Sequence, residues 1–195
     1  MFLDHLVRKR KNCHANPRYW IMTLDELNHL GKNAAEDFFS QCCSASRWAA
    51  IMVKQRPYQS LADLLQTAEI AWQGMQRPDF IAAFEGHPKI GDPASLKEKY
   101  RSTLATASHE QSGVNMAPEH VLDDLAQLNR RYEKRFGYIF IVCATGKSAA
   151  EMLEIIKARI NNTAHSELEI AAAEQAKITA IRISSMLDQN HQTGL

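Results

Sequence analysis

Gly137-Tyr138-Ile139-Phe140-Ile141-Val142-Cys143-Ala144 has the composition of a buried strand: β-branched and aromatic residues in succession, without a helical period. No second strand-like run exists to pair with it. The stretch therefore predicts no sheet, but one extended segment near 138–144 passing through an all-α, single compact multi-helix domain. Buried there, its backbone N–H and C=O groups would lack a ladder and must find other partners, of which a bound ligand is one.

Helices are expected on both sides. Thr145-Gly146-Lys147-Ser148 resembles a phosphate-binding loop, but that motif needs a glycine five residues before Gly146, where Ile141 stands. Ser148 reads instead as a helix cap. The helix it opens, 148–162, turns Met152, Leu153, Ile156 and Ile160 inward and Glu151, Glu154 and Lys157 outward. Arg159 falls on the flank of the apolar face and reads two ways, as an ion pair at the core's edge, with Glu110 as one partner, or as a ligand contact. A last helix, about 167–187, closes the bundle with alternating charge on its solvent face.

Upstream, Pro118–Phe136 is amphipathic, with Val121, Leu122, Leu125, Leu128 and Tyr132 on one side and Gly137 as terminator. Segments 33–43 and 46–55 read as short helices. Ser60 caps a longer one whose stripe is Leu61, Leu64, Leu65, Ala68 and Trp72, and Pro78 suits the first turn of a helix over 79–84. Residues 102–113 again have helical character. Thr23 and Glu26 stand at capping-box spacing where the fold begins. The expected organisation is an N-terminal extension over 1–21, a helical domain over 22–188 and a tail over 189–195. The basic run Arg8-Lys9-Arg10-Lys11 reads as a solvated part of that extension.

The chain has 195 residues, 45% of them hydrophobic, and a formal charge of +1. That length suits one domain, and the charge balance offers no case for nucleic acid or an anionic membrane as partner. Without an apolar run of membrane length or a secretory centre, a soluble, cytoplasmic protein is expected. Cys13, Cys42, Cys43 and Cys143 show no C-x-x-C spacing, so reduced thiols are expected and no metal site.

Between two helical runs lies Gly86-His87-Pro88-Lys89-Ile90-Gly91-Asp92-Pro93. Two glycines and two prolines impose an irregular path, where a side chain can be aimed at a ligand. His87 is the side chain so placed. Alternatively, it only terminates a helix and is solvated.

His87-Pro88-x-Ile90-Gly91, Glu110-Gln111, Phe136-Gly137-x-x-Phe140, Gly146-Lys147-Ser148 and Arg159-Ile160-x-Asn162, followed by the Glu167–Arg182 helix, together resemble the family of OHCU decarboxylases. OHCU is 2-oxo-4-hydroxy-4-carboxy-5-ureidoimidazoline, on the route from urate to allantoin. The resemblance, from about Met22 to Asp188, implies a cofactor-free carboxy-lyase that releases CO2 and leaves (S)-allantoin. It implies catalytic roles for His87, Glu110 and Arg159. Substrate contacts would come from Pro88, Ala107, Ser108, Glu110, Gln111 and Arg159, and from the backbone of Phe140, Ile141, Val142, Cys143 and Ala144. Many members carry a serine where this chain has Ala107, with Ser108 next along. The family often forms homodimers, and the small molecule OHCU would be the partner.

Two other classes compete with this reading. One is a helical binding or scaffold module that keeps the fold without the chemistry. The other, a hydrolase or metal enzyme built on His87, His109 and Glu110, is disfavoured because adjacent His109 and Glu110 point to different sides of a helix and no His-x-x-x-His pair occurs.

Overall fold

Several helix starts are written in this chain as side-chain caps. In a computed structural model, which describes residues 22–87 and 119–187, Thr23 and Glu26 form a reciprocal capping box at the head of α1 (Leu24–His29). Helix α2 (Lys32–Cys42) and α3 (Ser46–Lys54) follow. Ser60 caps α4 (Leu61–Gln73), and α5 (Arg77–Glu85) carries Pro78 in its first turn, where a missing N–H costs nothing. After the undescribed interval come α6 (Glu119–Phe136), α7 (Ala149–Arg159) and α8 (Ala164–Met186). Ser148 and Glu151 cap α7 reciprocally, and the Thr163 hydroxyl accepts from the Ser166 N–H at the start of α8.

The described residues contain eight helices and no strand, as an all-α chain requires. Several bounds differ from those expected. The helix opened by Ser148 stops at Arg159 instead of 162, and the last one starts at Ala164 because Thr163 supplies its cap. Pro88, Ala107, Ser108, Glu110 and Gln111, the helix expected over 102–113, the extension 1–21 and the tail 189–195 all lie outside the described residues.

Aromatic packing among the described residues forms two larger groups and a separate Trp72–Phe80 pair. Phe39 meets Phe38, Trp48 and Tyr58 edge to face, and the Trp48 indole donates to the Ala68 carbonyl at 3.1 Å. Tyr132 gathers Phe136, Tyr138 and Phe140, while Phe84 reaches the same group through Tyr138. Helix α8 joins the two halves: it packs on α2, α4 and α5, and its Ala172 carbonyl accepts from the Trp72 indole at 3.0 Å. Beyond its end, Leu187 forms a parallel bridge with Met22, whose N–H donates to the Met186 carbonyl at 3.2 Å.

Two glycines direct the chain toward the residues of interest. Gly137, at φ +79°, takes the left-handed conformation that ends α6 and releases the extended segment. Residues 138–144 then run without regular structure, with Tyr138, Phe140, Ile141 and Cys143 buried. Gly86 caps α5 just before His87, and here the constraint is space. A Cβ on Gly86 would lie 1.9 Å from the Ser44 Oγ and 2.7 Å from its Cβ, in the turn between α2 and α3.

We predict that Gly86→Ala lowers stability by about 1–3 kcal/mol, the usual scale of forced overpacking. Adding Ser44→Gly, which removes both clashing atoms, should restore most of that loss in urea titrations. Equal loss in the single and double variants would show that the Ser44 contact is not what holds this corner.

Candidate functional site

Arg159 reaches its position because α7 ends there, one turn past Ile156 on the helix's buried side. Its side chain does not sit at the core's edge, since only 7% of the residue is exposed. A buried guanidinium requires a counter-charge and acceptors. Glu167, fully buried in the first turn of α8, supplies them: Arg159 Nε and Nη2 donate to Glu167 Oε1 at 2.9 and 2.6 Å. Arg159 Nη1 donates to the Ile141 carbonyl at 2.9 Å, and the guanidinium lies 4.7 Å from the centre of the Phe140 ring. The expected ion pair therefore exists, with Glu167 as the partner, while Glu110 lies outside the described residues. Three of the five guanidinium N–H groups are committed in these bonds, which leaves two directed elsewhere.

Glu167 is itself held from three directions. The Tyr132 hydroxyl donates to Oε1, and Asn162 Nδ2 donates to Oε2 at 2.8 Å. Burial, reinforced by the neighbouring carboxylate, pushes the Tyr132 hydroxyl far above the ordinary tyrosine range and keeps it a donor. The Glu167 carboxylate thus carries four charge-assisted or short bonds, enough to offset its removal from water.

The extended segment is tied in the same way. Arg159 takes the Ile141 carbonyl, Glu174 Oε2 accepts from the Cys143 N–H at 2.8 Å, and Lys147 Nζ donates to the Cys143 carbonyl at 2.8 Å. Side chains therefore replace the missing ladder at the Ile141 carbonyl and at both backbone groups of Cys143. Burial pushes the Glu174 carboxyl up, but Lys177 and the Cys143 N–H outweigh it and hold it below the usual range.

His87 follows α5 immediately after Gly86 and is half-buried. Its Nε2 lies 2.7 Å from Gln175 Oε1, and its Nδ1 lies 3.5 Å from Arg182 Nη2. Gln175 is fully buried and donates from Nε2 to the Thr179 hydroxyl at 3.2 Å, while Arg182 Nη1 donates to the Cys42 carbonyl at 3.1 Å. A merely solvated loop histidine would show none of this. The nearby thiols are inert by comparison, because burial pushes Cys42 up to about 12 and raises Cys43 as well. Among the described residues, no cluster of three or more His, Cys, Asp or Glu side chains could hold a metal ion.

Helix α8 thus braces both groups. Glu167 and Gln175 lie eight residues apart on it, or about 12 Å of helix rise. Sequence reasoning assigned α8 a charged solvent face and missed Glu167, Gln175, Thr179 and Arg182. The signal was available in the period: Glu167, Ala171, Gln175, Thr179, Ile183 and Met186 recur at helical spacing, so three polar residues share a stripe with apolar ones.

Residues 28–184 match the family described as OHCU decarboxylase. The uric acid degradation bifunctional protein TTL of Arabidopsis thaliana is 34% identical over 157 residues, 80% of this chain and 48% of that protein. The bifunctional protein PucL of Bacillus subtilis is 21% identical over 89% of this chain and 34% of its own length, so the chain spans half or less of these two relatives. A 2-oxo-4-hydroxy-4-carboxy-5-ureidoimidazoline decarboxylase of Halalkalicoccus jeotgali is 22% identical and is covered over 92% of its length. A crystal structure of OHCU decarboxylase in the presence of (S)-allantoin superposes with a TM-score of 0.62 at 36% identity, over 76% of this chain and 95% of that one. With the matched region running from α1 into α8, and with this likeness in both sequence and fold, the chain belongs to the OHCU decarboxylase family.

Proposed function

We propose that this chain decarboxylates OHCU to (S)-allantoin, with His87 and Arg159 as the described parts of its site and Glu110 and Gln111 completing it. The observation that carries this reading is the bracing of both groups. A buried arginine keeps two N–H groups beyond its structural bonds, and a histidine at a helix end is oriented by a buried amide, both against one helix.

The chemistry asks for positioning and proton control. When the C4–carboxylate bond breaks, its electron pair forms a C4=C5 bond while the C5=N pair moves onto nitrogen, which takes a proton. The 4-hydroxyl then gives up its proton as the carbonyl forms, and C5 gains one. Overall, the carboxylate form takes up one proton and releases CO2. His87 is assigned to accept and return the hydroxyl proton, since imidazole does both near neutral pH. Arg159 would hold a substrate oxygen with its remaining N–H groups, fixed in direction by Glu167 and Ile141. The backbone of Phe140, Val142 and Ala144 would complete the polar lining. Because the ring's own imine takes up the electrons, the reaction as written calls on no metal or organic cofactor.

Three outcomes test the reading. Activity on OHCU generated in situ from urate should survive exhaustive chelation, whereas loss that zinc or manganese restores would overturn the cofactor-free step. For His87→Asn, turnover should fall about 10²-fold or more, the scale for losing a positioned acid or base. Stability should also fall, by about 1–3 kcal/mol, if the buried Gln175 oxygen loses its donor. Parent turnover in this variant would remove His87 from proton transfer. Glu167→Leu strands the Arg159 charge and should lower stability by about 3–5 kcal/mol, whereas Arg159→Lys keeps a counter-charge for Glu167 and should cost less. At a temperature where both remain folded, Arg159→Lys should still lose turnover, because a point charge replaces a planar fork. Full turnover in that folded variant would leave Arg159 with a structural role alone.

A further inference from the structure

Four side chains form one connected polar path: Arg182, His87, Gln175 and Thr179, with separations of 3.5, 2.7 and 3.2 Å. A glutamine amide can be turned either way and an imidazole can carry its proton on either nitrogen, so such a path is ambiguous until one member is fixed. Arg182 is that member. A guanidinium has only donors, and this one is anchored by its bond to the Cys42 carbonyl. Facing it, His87 Nδ1 must present a lone pair, which places the ring proton on Nε2. Gln175 must then accept through Oε1, and its amide nitrogen must donate to Thr179.

At the far end of the path the Thr179 hydroxyl oxygen receives the Gln175 N–H. Gln175 is fully buried and Thr179 nearly so, which leaves no water to substitute for a wrongly turned amide.

We propose that Gln175 is a positioning residue that locks His87 in the Nε2–H tautomer and so makes Nδ1 the atom that exchanges a proton with substrate. The inference rests on the proposed decarboxylase reading for its catalytic consequence. Its structural half, the tautomer, does not. In the reaction, Nδ1 takes the 4-hydroxyl proton and the ring becomes an imidazolium with both nitrogens protonated. Nε2–H stays on Gln175 throughout, and Nδ1 then returns its proton as the product forms. The long contact to Arg182 is the one the substrate hydroxyl would displace, since the 2.7 Å bond to Gln175 is much the shorter.

The test reads the ring nitrogens directly. In the full chain labelled with 15N-histidine, the His87 signals, identified by their absence in His87→Asn, should report a protonated Nε2 and an unprotonated Nδ1 when neutral. Gln175→Met removes the acceptor: the tautomer should become mixed, and kcat should fall at least 10-fold with KM changed less than 3-fold. Gln175→Glu keeps an acceptor at the same reach, so the ring should remain Nε2–H. Its negative charge favours the imidazolium against Arg182, so the limb of the pH–rate profile that reports His87 should move to higher pH. Should Gln175→Met not fold, the parent spectrum and Gln175→Glu decide the matter.

A parent ring protonated at Nδ1, or a Gln175→Glu profile unmoved from the parent's, would overturn the proposal. So would a folded Gln175→Met with the parent tautomer and turnover. A parent with the Nε2–H ring that fails to decarboxylate OHCU would instead refute the proposed function and leave the tautomer assignment standing.

Discussion

The buried Arg159–Glu167 pair is the constraint on which the second half of the structure depends. An unpaired charge at that depth would cost several kcal/mol, so the pair can exist only if α7, α8 and the extended segment arrive together. Glu167 needs the Tyr132 hydroxyl from α6 and Asn162 from the α7–α8 turn, and Arg159 needs the Ile141 carbonyl. Each acceptor or donor comes from a different element. Failure of any one would leave a buried charged group short of a hydrogen-bond partner, which gives the packing of these elements a directional specificity that apolar contact alone lacks.

The same economy explains how a lone extended segment survives inside a helical fold. Phe140 and Ile141 are buried, yet no strand lies beside them among the described residues. Side chains of α7, α8 and the residues just before α7 take over what a neighbouring strand would do, through Arg159, Glu174 and Lys147. A backbone held by side chains differs from one held by a ladder, because each bond is made by a group with other commitments. Arg159 serves as both the strut of the segment and the proposed grip on substrate, so the segment and the grip are positioned by one guanidinium.

Much of the architecture was legible because it is set locally. The boxes at Thr23/Glu26 and Ser148/Glu151, the cap at Ser60 and the terminator at Gly137 are each decided by a few neighbouring residues, and each appears in the structure. The apolar face of α7 was legible for the same reason, from its helical period. The partner of Arg159 was not. It depends on which face α8 presents to α7, and a glutamate in a helix's first turn reads as a dipole-favoured surface residue by default. Only after Ala171, Gln175, Thr179, Ile183 and Met186 are seen to share the buried stripe does Glu167 become the odd member that needs a cation. His87 was legible as a residue of interest from its glycine- and proline-rich loop, but its partners lie 88 and 95 positions away and no local rule connects them.

The two braces on α8 differ in charge, and the difference suits the groups they hold. Behind Arg159 stands a carboxylate. Arginine does not change protonation, so a full counter-charge can fix its plane without altering what it offers a ligand. Behind His87 stands a neutral amide. A carboxylate there would favour the imidazolium and weaken the ring as a proton acceptor, whereas an amide oxygen orients the ring and leaves its proton affinity to be set by the other groups nearby. Arg182 lies near the other ring nitrogen, 3.5 Å from Nδ1. For the role proposed for His87, the neutral amide orients the ring without setting a negative charge beside it.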